Sequence, residues 1–300
     1  MDPEEAAQGD APAWPSDEQL AQMQAEQEEH TERLRAAGAR VMGHPFAVAH
    51  RRVEVLLVGL DEVFAPNARE LHVLLDTAAT NIDLAIELVQ NVRRSIVAEQ
   101  FRAQLAQRMH NYLASAYSLS AHTKTIMDLR KKQHKRTTDP LVVPFSEKRA
   151  ELLGTPEMEF ARQLRNFIQH VAQVPVTSSL SLNQPNAPDA SFRSEVLLDV
   201  ASLLQGSRWE FGAETFLEGK DSVELRSVAD AYTANVERFY RWFIHQLAAE
   251  AEPLRAGHNE LVVARNAVLT GGDIEAAREI TEATTQQRAS TMPPDFPQPE

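Results

Sequence analysis

The chain is expected to be all-α, a helical bundle carrying one small β-hairpin and ending in disordered tails, and three observations predict this. Only 6% of the 300 residues are aromatic and only 11 are glycine, whereas Ala, Leu, Glu, Gln and Arg abound, which is a helix-forming composition. Apolar residues at Leu71, Leu74, Leu75, Ala78, Ile82, Ala85, Ile86 and Val89 recur at i, i+3, i+4 and i+7, the period of a helix with one face in a core. Neither Gly nor Pro occurs from 67 to 139.

The elements follow in order. Residues 1–15 are acidic and Pro/Ala-rich and 290–300 are Pro-rich, so both are expected to be disordered. Ser16-Asp17-Glu18-Gln19 fits a capping box opening a helix to about Gly38, whose Leu20, Met23 and Leu34 make a thin apolar stripe. A second helix runs from Pro45 to Phe64, and Asn67 is placed to cap a third. One helix over 67–139 would reach roughly 110 Å at 1.5 Å per residue. A break near Ser95 to Glu99 is therefore expected, giving antiparallel helices at about 68–94 and 98–134. Pro140 and Pro144 mark a loop, with a helical turn over 146–153. Thr155 as N-cap and Pro156 at N1 open the next helix. "VTSSLSL" after Pro175 alternates like a strand, with 191–200 as its partner. Helix resumes over 224–250, and Gly271-Gly272-Asp273 precedes a last helix at about 274–288.

Composition also excludes chemistry. With no cysteine, disulfides, thiolate zinc and cysteine nucleophiles are ruled out. No histidines have metal-ligand spacing, so neither metal nor cofactor is expected. The longest apolar run, Val55 to Leu60, is far too short to cross a membrane, and the acidic start lacks a secretory signal, so a cytoplasmic location is expected. The net charge of −13 is unevenly spread, because residues 1–32 hold ten acidic side chains and no Lys or Arg. Residues 93–136, by contrast, carry ten basic side chains against Glu99 and Asp128. Lys124, Arg130, Lys131, Lys132, Lys135 and Arg136 are the candidate nucleic-acid contacts in this strip. The same cations would also complement the carboxyl end of a helix. The acidic tail is a candidate contact for a basic protein partner, or for the strip itself.

The stretch "LRNFIQH", Leu164 to His170, carries the sharpest candidate site. On a helical wheel Phe160, Ala161, Leu164, Phe167, Ile168 and Val171 share one face, while Arg162, Asn166, Gln169 and His170 share another, with Arg165 at its border. Imidazole moves protons near neutral pH and guanidinium holds phosphate oxygens in pairs, so Arg165 and His170 suit a phosphodiester. RNA brings its own nucleophile in the 2′-OH. The bland reading of the same residues is a solvated helix face. Trp209, Trp242 and Tyr240 are aromatic candidates for base stacking, although their helical spacing points to core packing.

Arg165-Asn166-x-x-x-His170 resembles the Rx4-6H motif of the HEPN superfamily. So does its setting, with "HNYLASAYSLSAHTK" some forty residues before it, a hairpin after Pro175, and "VERFYRWFI" at 236–244. The resemblance covers about 95–250, preceded by helices over 16–94 and followed by a helical extension over 251–289. It implies a homodimeric helical bundle whose catalytic members are metal-independent endoribonucleases leaving a 2′,3′-cyclic phosphate. Carried over by position, His170 transfers protons, Arg165 clamps phosphate and Asn166 orients them. Other members bind without cleaving, so the alternative expectation is a non-catalytic RNA-binding or interaction module.

Overall fold

The computed structural model describes residues 14–89, 95–133, 139–170, 175–183, 191–206 and 208–291. In chain order these form α1 (Asp17–Gly43), α2 (Pro45–Leu57), a π-helical segment (Val58–Phe64), α3 (Ala65–Thr80), α4 (Ile82–Val89), α5 (Ile96–Gln133), α6 (Val142–Leu153) and α7 (Pro156–His170). There follow β1 (Val176–Asn183), β2 (Ser191–Asp199), α8 (Val200–Gly206), α9 (Phe211–Leu217), β3 (Ser222–Glu224), α10 (Leu225–Ala251), a 3-10 turn (Glu252–Leu254), α11 (Arg255–Leu269) and α12 (Ile274–Thr291). The protein is mainly helical. Most of the two expected tails, 1–13 and 292–300, lies outside the described residues.

The chain divides into two compact units, one of residues 1–50 with 250–300 and the other of residues 51–249. Helices 51–89 thus belong with the expected 95–250 domain, not with a separate amino-terminal region.

In the first unit the Ser16 capping box forms as expected, Gln19 N–H donating to Ser16 Oγ and Ser16 N–H to Gln19 Oε1. The helix it opens runs on to Gly43, and α1 packs its carboxyl-terminal part against α11. At the α11–α12 corner Gly271 and Gly272 adopt φ of 66° and 100°, a region where a Cβ is strained. Asp273 then caps α12, its Oδ1 accepting from Glu275 and Ala276 N–H at 3.0 Å each. Buried Asn266 donates to buried Thr281 at 3.0 Å across this pair.

In the second unit α5 is the central helix. Three contacts descend one side of it: Arg108 pairs with Glu70, Tyr112 stacks on Phe64 at 5.5 Å, and Leu119 meets the bare Cα of Gly59. Partner numbers fall as α5 numbers rise, so the preceding helices run antiparallel to it, as expected. The break before α5 also falls where expected, with Ser95 Oγ accepting from Ala98 N–H.

Four boundaries differ from expectation. The second helix does not stop at Pro66 but passes through a π-helical turn into α3. Pro66 sits where the hydrogen-bond register changes, so its missing N–H interrupts little. Asn67 caps nothing; it lies inside α3 and donates to Val63 O at 2.7 Å. The cap sits instead at Asn81, whose Oδ1 accepts from Leu84 N–H at 3.0 Å and divides the expected 68–94 helix into α3 and α4. Pro144 is likewise no loop residue, because it lies in the first turn of α6, where its N–H would have had no partner.

The hairpin forms with Val176 opposite Leu198 and Asn183 opposite Ser191. A third strand unforeseen in the sequence, β3, pairs antiparallel with β2, giving the order β1-β2-β3. Val196, Leu198 and Val223 are buried, and the sheet packs on α3 and α4. Phe239 and Phe243 on α10 complete the core, with Phe145 of α6 edge-on to both at 5.6 and 5.2 Å.

Candidate functional site

Local chemistry fixes α7 before any tertiary contact does. Thr155 Oγ1 accepts from Met158 N–H, Pro156 takes the first position, and Glu157 and Glu159 lie in the first turn where the helix dipole favours acids. Phe160, Ala161, Leu164 and Phe167 are buried as the wheel requires. Phe160 packs on Trp209 and Phe216, and Phe167 stacks on Trp209 at 5.8 Å. The rotation of α7 is fixed by that aromatic cluster.

One polar residue beside this face is enclosed. Gln163 is buried, its Oε1 accepting from Glu210 N–H at 2.7 Å. Arg162 bridges Glu159 and Glu210. Burial works against its charge, but those two carboxylates outweigh that effect and raise its pKa. Arg162 is therefore committed to holding α9 against α7.

Arg165 is placed differently. It is half-buried, its Cζ lies 3.6 Å from the Tyr117 ring centroid on α5, and its Nη1 donates to Asn166 Oδ1 at 3.3 Å. Its Nε is buried and has no hydrogen-bond partner among the described residues. Among the described residues no carboxylate pairs with it. Asn166 is exposed beside it. His170 is the last residue of α7, and its side chain lies outside the described residues. Along the helix axis it stands roughly 7.5 Å from Arg165, at 1.5 Å per residue.

The basic strip divides. Lys124, Lys131 and Lys132 are exposed on α5. Arg130 is a correction: it is 5% exposed and donates through Nε and Nη2 to the two oxygens of Asp139, each at 2.7 Å, so it is a buried tie and not a nucleic-acid contact. Lys135 and Arg136 lie outside the described residues. Trp209 and Tyr240 are also removed as base-stacking candidates, being 5% and 3% exposed, and Trp209 Nε1 is spent on Leu203 O at 3.0 Å.

Tyr117 is the aromatic that sequence reasoning passed over. It is 51% exposed and one ring face carries the Arg165 guanidinium. Its signal was present in the spacing, since His110, Tyr117, Lys124 and Lys131 recur every seven residues and all four are exposed. Arg165 and Asn166 thus come together with an unassigned aromatic, at the upper end of a basic stripe. A planar, charged donor held against an open aromatic ring suits a phosphate and an unstacked base. Among the described residues no helix is long and apolar enough to cross a membrane. No family model, curated protein or solved structure matches the chain.

Proposed function

We propose that the chain is a HEPN-like protein acting on RNA as a metal-independent endoribonuclease. The observation that carries this reading is the Arg165 guanidinium stacked on Tyr117 and tied to Asn166, on the helix that ends in His170. In this reaction the 2′-oxygen attacks the adjacent phosphorus, a P–O2′ bond forms and the P–O5′ bond breaks. His170 takes the proton from the 2′-OH and delivers it to the departing 5′-oxygen, leaving a 2′,3′-cyclic phosphate and a 5′-OH. Arg165 offers paired N–H donors to the non-bridging oxygens as their charge builds, and Asn166 keeps its Nη1 edge in place. The resemblance of "RNFIQH" and its flanks to the HEPN superfamily, whose catalytic branches are metal-independent endoribonucleases and which often dimerises, supports the same assignment, including action as a homodimer.

The test is cleavage of end-labelled RNA by purified protein in EDTA, with the product ends identified. His170→Ala and Arg165→Ala are each expected to slow cleavage by about 100-fold or more. A wild-type protein that leaves RNA intact refutes the catalytic reading.

The half-buried position of Arg165 favours a second reading, a non-catalytic module in which the guanidinium clamps α7 to α5. There Arg165→Ala lowers the melting temperature or changes the mass seen by light scattering, and no nuclease activity exists to lose.

A further inference from the structure

We infer that the exposed face of α5 is a track for single-stranded RNA, with Tyr117 stacking an unpaired base at its head and Lys124 and Lys131 gripping the backbone below. The inference rests on the RNA reading above and extends it to substrate class and strand path.

Seven residues advance an α-helix by roughly 10.5 Å and return it to within about 20° of the same face. His110, Tyr117, Lys124 and Lys131 therefore form one stripe, and all four are exposed. Ser120 and Ala121, both exposed, are the small side chains that α5 itself places between Tyr117 and Lys124. Asp128 lies on the same face between the two lysines, and Lys132 flanks it. The cations thus outnumber the single carboxylate along the lower half.

Tyr117 decides what kind of nucleic acid fits. One of its faces is covered by Arg165 at 3.6 Å, yet the residue remains 51% exposed. An aromatic ring backed by a guanidinium and still half exposed offers a stacking platform for a base. The neighbouring guanidinium edge then lies within reach of that nucleotide's phosphate. In a duplex the bases are already stacked on one another and their faces are closed to such a ring. The arrangement selects unpaired RNA. The contact also positions Arg165, since a guanidinium held 3.6 Å from the ring centroid has less freedom to turn.

The experiment measures fluorescence anisotropy of a labelled 20-nucleotide 2′-O-methyl single strand and of a 2′-O-methyl hairpin duplex, neither of which has the 2′-OH that cleavage needs, against the full chain over a range of salt. Wild type is expected to prefer the single strand. Tyr117→Leu should weaken single-strand binding roughly 5- to 150-fold while changing duplex binding little, and Tyr117→Trp should restore it. Lys124→Ala with Lys131→Ala should lower the slope of log affinity against log salt by about 1.4, roughly 0.7 for each lost phosphate contact. Arg165→Ala separates the two proposals. If it weakens binding but the Tyr117 and lysine variants bind like wild type, the track is refuted and the RNA reading stands. If wild type binds neither RNA, the RNA reading itself fails. A Tyr117→Leu variant that loses both RNAs equally marks the ring as a structural clamp and also overturns the track.

Discussion

Arg130 and Asp139 illustrate how a charge on paper differs from a charge in a structure. Their side chains are 6% and 2% exposed, joined by two hydrogen bonds of 2.7 Å, and Asp139 Oδ1 also accepts from Leu141 N–H. The pair ties the end of α5 to the start of α6. Removing one partner strands the other without solvation, so Asp139→Ala is expected to cost about 3–5 kcal/mol in chemical denaturation. Replacing both, with Arg130→Met and Asp139→Leu, should recover most of that loss, because two apolar side chains need no partner. Equal destabilisation of the single and double variants would show that the Leu141 cap, rather than the ion pair, carries the tie.

Buried tyrosines make a second prediction at this scale. Burial raises the Tyr112 pKa well above its ordinary value and pushes Tyr240 up to about 12, despite the hydroxyl of Thr123 beside the latter. A phenol with a raised folded-state pKa binds more protons when folded than when unfolded. Their contribution is whole below pH about 10, the unfolded value, and is lost as pH rises through the folded ones. Folding stability should therefore fall from about pH 10 upward, and tyrosinate absorbance from these two rings should appear together with loss of helical circular dichroism. Ionisation of all four tyrosines in a fully helical protein would contradict this.

At the scale of elements, the antiparallel packing on α5 depends on one close approach. A Cβ built at Gly59 would stand 2.9 Å from Leu119 Cδ2, and Leu119 is 1% exposed. The π-helical turn that carries Gly59 brings backbone against side chain where an α-helical residue with a larger side chain would not fit. Gly59→Val is expected to cost about 1–3 kcal/mol by overpacking, read from the midpoint of urea unfolding. Leu119→Ala in the same chain should relieve part of that penalty, since it opens the space the valine needs.

For α7, the amphipathic wheel and the Thr155-Pro156 start were both legible before the structure. What escaped was the assignment of its polar residues. Arg162 looks like a member of a solvated face, but a loop some 48 residues later brings Glu210 to it and to its neighbour Gln163. Long-range pairing of this kind leaves no periodic trace. β3 escaped for a related reason: three residues, Ser222 to Glu224, are too short to alternate, and they become a strand only because β2 presents an open edge.

At the scale of the whole molecule, the chain by itself determined the helical class, the starts of α1, α2, α7 and α12, the hairpin, and the candidate trio of Arg165, Asn166 and His170. These follow from forces local along the sequence: side-chain propensity, the 3.6-residue period, and caps that reach only two or three residues. Only the tertiary structure decided that 51–89 folds with 95–249, that Arg130 is buried while Lys124, Lys131 and Lys132 are open, and that Arg165 rests on Tyr117. Those outcomes depend on which surfaces meet, and a guanidinium reads the same in a sequence whether it faces solvent, an aromatic ring 48 positions away or a buried carboxylate.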